Sequence, residues 1–140
     1  KINPEQRRLG CEPNGNYRHE EYLVGKALES MLGIKLYRSE TPSFDFSFRN
    51  ENWELVGPVA PYYFDSNSFV KSLENHMCSK CGMDTLVACT ITLPYEEQIE
   101  IKEIVEKNTD TSFDILVLDQ DSIDEYVDNL QGYRFLSTLN

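Results

Sequence analysis

A three-layer α/β/α domain built on a mixed five-stranded sheet is the fold class this sequence predicts, and three observations predict it. Thr85-Leu-Val-Ala-Cys-Thr-Ile-Thr92 and Phe113 to Leu118 are near-continuous apolar runs, the pattern of strands covered on both faces. Segments of helical periodicity precede, separate and follow them. Upstream, three short strand-like segments divided by turn formers read as a meander. The resulting order is α, β, β, β, α, β, α, β, α, in which right-handed crossovers follow the meander.

Residues 1–17 are polar, with Gly10, Pro13 and Gly15, and read as a loop or short helix leading in. From Arg18 to Leu32, Tyr22, Leu23, Leu28 and Met31 recur at helical spacing, and Gly33 sits where a C-cap belongs. Strands are expected at Ile34–Tyr37, Phe44–Arg49 and Trp53–Ala60, with a polar turn over Arg49 to Asn52 and Pro58 and Pro61 ending the third. Ser66 can cap a helix from Asn67 to Met77 that buries Phe69, Val70, Leu73 and Met77. Pro94 precedes a helix from Tyr95 to Lys107. Ser122-x-x-Glu125 has the form of a capping box, opening a last helix to about Leu130 before a tail over residues 131–140.

At 140 residues and 40% hydrophobic, the chain is expected to form a single domain, 1–140, with an adequate core. No run approaches the ~18 apolar residues of a membrane span, and the opening KINPEQRR lacks a signal-peptide core. A soluble, intracellular (cytoplasmic) protein with reduced thiols is expected, and a Lys start suggests trimmed preceding residues. The formal net charge is −11. Nucleic-acid affinity comes largely from phosphate neutralisation, so an acidic domain must concentrate its few bases locally or rely on another domain, subunit or homodimer mate.

Chemistry concentrates in Ser43-Phe-Asp45-Phe-Ser-Phe48 and Trp53-Glu54-Leu-Val56-Gly57. Period-2 alternation places Phe44, Phe46 and Phe48 on one face and Asp45 on the other, while Glu54 and Val56 share a face. A hairpin between the segments brings Asp45 and Glu54 together, the minimum oxygen cluster for a divalent cation. The alternative is that both acids sit on exposed strand faces for solubility.

That order of elements, with Asp45 and Glu54 where they fall, resembles the restriction-endonuclease-like, or PD-(D/E)XK, nuclease superfamily, most closely its Mrr-like branch, over Arg18 to Leu130. The resemblance implies an acid on the first helix, matched by Glu21 or Glu20. It implies a strand aspartate, matched by Asp45 after a displaced Pro42, and an acid-x-lysine motif whose acid is Glu54. It further implies one or two Mg²⁺ or Mn²⁺ ions on Asp45 and Glu54 and hydrolysis of phosphodiester bonds in DNA, with RNA open. The departure is Val56, which stands where the family has lysine and cannot stabilise charge on phosphorus. Losing one such stabiliser typically costs about 2.7 to 4 kcal/mol. Lys71, on the next helix, is either a displaced substitute or an ordinary solvated lysine.

Cys78-x-x-Cys81, with His76 just before it, supplies two soft ligands of the four that structural Zn²⁺ needs; Cys11 or Cys89 would have to complete the set. The alternative is two thiols in a helix-to-strand turn, with Cys89 a small hydrophobe in a buried strand. Asp119, Asp121, Asp124 and Asp128 lack the glycine of a calcium loop and read as an acidic first turn. Three functions follow: a metal-dependent nuclease, a catalytically silent nuclease-fold module for protein interaction or assembly, and a zinc-stabilised accessory domain.

Overall fold

In a computed structural model, which describes residues 1–57, 66–79, 81–108 and 110–139, the chain forms a mixed α/β fold. Its elements are α1 (Pro4–Gly10), α2 (His19–Leu32), β1 (Tyr37–Arg38), β2 (Phe46–Phe48), β3 (Glu51–Val56), α3 (Ser66–Ser79), β4 (Thr85–Cys89), α4 (Tyr95–Lys107), β5 (Asp114–Leu118) and α5 (Gln120–Ser137). The five strands lie in the order β1-β2-β3-β4-β5. The first two pairings are antiparallel and the last two parallel, as a meander followed by crossovers requires.

Side-chain alternation along β3 and β4 divides the core into two layers. Trp53, Val87 and Cys89 face Leu9 of α1 and Val24 and Leu28 of α2, while Val56, Leu86 and Ala88 face Phe69 and Leu73 of α3 and Ile101 of α4. Helices therefore cover both faces. All five β4 residues are buried, which is why that strand reads as an unbroken apolar run. Among the described residues, no helix is long and apolar enough to cross a membrane.

Several boundaries differ from expectation. Of the two forms expected for the lead-in segment, loop or short helix, the helix is present as α1, held by a capping box between Asn3 and Gln6. Strand β1 is only Tyr37–Arg38, because side chains take the backbone groups of Leu36: Glu29 accepts from its N–H at 2.8 Å and Arg8 donates to its carbonyl. The hairpin turn is Arg49-Asn50, both at positive φ, so Glu51 and Asn52 already belong to β3. Positions 58–60 of the expected third strand lie outside the described residues. Asp119, not Ser122, caps α5; its Oδ1 accepts from the Ser122 N–H at 2.8 Å, and the helix continues to Ser137 through most of the expected tail.

Gly57 ends β3 at φ +67, where a Cβ would lie 2.6 Å from the Cys89 carbonyl oxygen and 3.0 Å from the Phe69 ring. Left-handed backbone alone costs an L-residue about 1–2 kcal/mol. Gly57→Ala is expected to exceed that cost, since backbone must also shift, and a urea melt showing an unchanged midpoint would contradict the packing described.

Candidate active site

The β2–β3 hairpin delivers Asp45 to Glu54, but not by simple alternation. Phe46 is paired with Trp53, and the Asp45 N–H also donates to the Trp53 carbonyl at 3.1 Å, so two residues oppose one. This is a β-bulge, and it shifts the phase of every residue before it. Phe44 consequently packs with Phe69 and Leu73 in the opposite layer from Phe46, correcting the expectation that Phe44, Phe46 and Phe48 share a face. The Asp45 side chain turns toward β3, and its Oδ2 accepts from the Leu55 N–H at 2.8 Å.

Asp45 and Glu54 meet there through a side-chain hydrogen bond. Burial first, and then that bond to Glu54 and its charge, push the Asp45 carboxyl up to about 7. The Glu54 side chain is 6% exposed, so neither acid is there for solubility.

Arg38 joins the third acid to the pair. Its guanidinium pairs with Glu21 of α2 and, at 3.3 Å, with Asp45 Oδ1. Burial and the Asp45 charge raise the Glu21 carboxyl, with Arg38 opposing. Arg18 and Glu12 complete the rim, and a cavity of about 210 Å³ opens against Glu21, Arg38, Pro42 and Asp45.

From the other layer, His76 of α3 brings Nε2 within 3.8 Å of Glu54 Oε2. Its Nδ1 lies 2.7 Å from the Ser72 carbonyl, which can only accept, so Nδ1 carries a proton and Nε2 is the ring atom that faces Glu54. Lys71 does not join this group. It is exposed, and no hydrogen bond or ion pair links it to a described residue. Val56, 1% exposed, fills core space against α3.

The structure therefore brings together Asp45, Glu54 and Glu21, and adds two residues that the sequence reading did not place here. His76 had a legible signal, since positions 69, 73 and 76 share one helical face and position 71 points away from it. Arg38 had only an indirect one, the need of buried acids for a counter-ion.

Among the described residues, no three His, Cys, Asp or Glu side chains form a ready metal-ligand group. Asp45 and Glu54 still match a hard divalent cation in donor type and charge, because a cation can replace the proton that their proximity demands. For zinc, the Cys78 side chain of the CxxC lies outside the described residues. Cys81 is exposed, and burial pushes the Cys89 thiol up to about 11, as expected of a small core hydrophobe.

Fold and site together define a mixed α/β domain with a buried carboxyl pair at a hairpin bulge. No protein-family model, curated protein or solved structure matches the chain.

Proposed function

We propose that this domain is a metal-dependent nuclease of restriction-endonuclease-like (PD-(D/E)XK) type. One observation carries the reading: Asp45 and Glu54, from neighbouring strands, meet in a buried site where burial and the Glu54 charge disfavour the Asp45 carboxylate, so that a bound cation would stabilise it. The strand order and the arrival of Glu21 beside Asp45 support it. Asp45 and Glu54 would hold Mg²⁺ or Mn²⁺, with Glu21 the nearest further acid. Such an ion lowers the pKa of a bound water and polarises phosphate oxygens. His76 takes the place of the motif lysine as the basic group: its Nε2, beside Glu54, would exchange the proton, and its ring is oriented by Ser72.

The test is cleavage of labelled single- and double-stranded DNA and RNA with Mg²⁺ or Mn²⁺. Glu54→Ala is expected to fall to background. His76→Ala is expected to lose about 10²–10⁴-fold, the range for a positioned acid-base group, while Lys71→Ala cleaves as wild type. A Lys71 variant as defective as the His76 variant would reverse that assignment.

A second reading, a catalytically silent nuclease-fold module for protein interaction or assembly, is favoured by Arg38. Its guanidinium already stands as the cation between Glu21 and Asp45, and Val56 is committed to the core. Absence of cleavage, with no Mn²⁺ binding by calorimetry, would select this reading.

A further inference from the structure

Thirteen bases stand against 24 acids in this chain, and two of them, Arg8 and Arg38, line one cavity beside β1 together with Glu40, Arg8 being paired to Glu5 and Glu29 and Arg38 to Glu21 and Asp45. The same cavity is lined by Tyr37, half-exposed on the edge strand. The Arg8 guanidinium and the Lys35 ammonium lie 5.7 and 5.6 Å from its ring centroid. Register places Tyr37, Ser47 and Asn52 in one cross-strand row, and these residues line a cavity of about 540 Å³. Arg38 walls both this cavity and the one at the acid site.

We infer that this cavity is a nucleotide subsite that holds an unpaired base on Tyr37 and leads the strand to Asp45 and Glu54, which makes single-stranded nucleic acid the substrate class. The inference rests on the nuclease reading for its direction. An aromatic ring flanked by cations and open to solvent is the element by which proteins hold single strands. Its volume lies within the usual ~300–1,000 Å³ of small-ligand sites. Ser47 and Asn52 supply hydrogen-bonding groups in the same cross-strand row, and Glu40 is an acid on the lining. Lys35, over the Tyr37 ring, forms no ion pair with a described residue, so its charge is available to phosphate. A duplex would hide its base faces from Tyr37, whereas an unstacked strand offers them.

The test is fluorescence anisotropy with a fluorescein-labelled 12-nucleotide single strand and the matching duplex, in EDTA, alongside the cleavage assay on the same protein. The single strand is expected to bind more tightly than the duplex. Tyr37→Ala is expected to weaken single-strand binding about 5- to 100-fold, the usual effect of removing one stacking ring, with Tyr37→Phe binding as wild type. Equal binding by wild type and Tyr37→Ala overturns the subsite even if the protein cleaves DNA. Tyr37-dependent binding without metal-dependent cleavage sustains the subsite and removes the nuclease reading. Neither binding nor cleavage removes both.

Discussion

Arg38→Met is expected to lower stability by about 3–5 kcal/mol at pH 7.5, the usual cost of removing one partner from a buried ionic group. The side chain is 10% exposed and offsets two carboxylates, Glu21 and Asp45, that are themselves mostly buried. Met retains the aliphatic volume, so the loss reports charge and hydrogen bonding. The pH dependence separates this from a packing defect. Glu21 and Asp45 both have raised carboxyl pKa values in the folded chain, and removing Arg38 raises them further. Lowering the pH from 7.5 to 5 protonates more of these carboxyls, and a protonated carboxyl needs no counter-ion, so the deficit of the variant is expected to shrink. Urea melts at the two pH values give the comparison, and a deficit independent of pH would contradict this role.

Asp45→Asn is expected to move stability and activity in opposite directions. The folded Asp45 carboxyl titrates at about 7 against an ordinary value of 3.8. Between those values the folded chain holds a proton that the unfolded chain has released, so stability falls as pH rises from about 4 to about 7. Above pH 7 the ionised pair is tolerated at a cost on the order of a few kcal/mol. Asn cannot ionise, yet can donate toward Glu54 and still accept from the Leu55 N–H. The variant is therefore expected to be more stable than wild type at pH 8, with little difference at pH 4. It also lacks the charge that attracts a cation. Mn²⁺ is expected to raise the wild-type melting temperature at pH 8, to do so less at pH 5.5 where protons compete, and to leave the variant unmoved. Cleavage by the variant is expected at background. A variant less stable than wild type at pH 8 would show that the Asp45 charge is already compensated.

Much of the fold was legible because local rules and tertiary demands agreed. Pro94 opens α4, which spans Tyr95–Lys107 as expected. Gly33 stops α2 at φ +65. The buried parallel strands announce themselves by lacking alternation. The limit of β1 differs from expectation because side chains from α1 and α2, Arg8 and Glu29, occupy the Leu36 backbone, and α5 starts earlier because Asp119, the residue just before it, supplies the cap.

By itself, the sequence determined the order of elements, the mixed sheet, the two-sided core and the hairpin that carries Asp45 to Glu54, since all of these follow from side-chain period and turn chemistry along the chain. Tertiary structure decided the environment of the acids. A single inserted residue at Asp45 turned Phe44 into the opposite layer, and packing of α3 presented His76 and turned Lys71 to solvent. The edge position of β1 let Arg38 reach both Glu21 and Asp45. The physical reason is common to all three. Period assigns a residue to a face, but the partner of a buried charge is set by which distant elements pack over that face, and a one-residue change of register is enough to replace it.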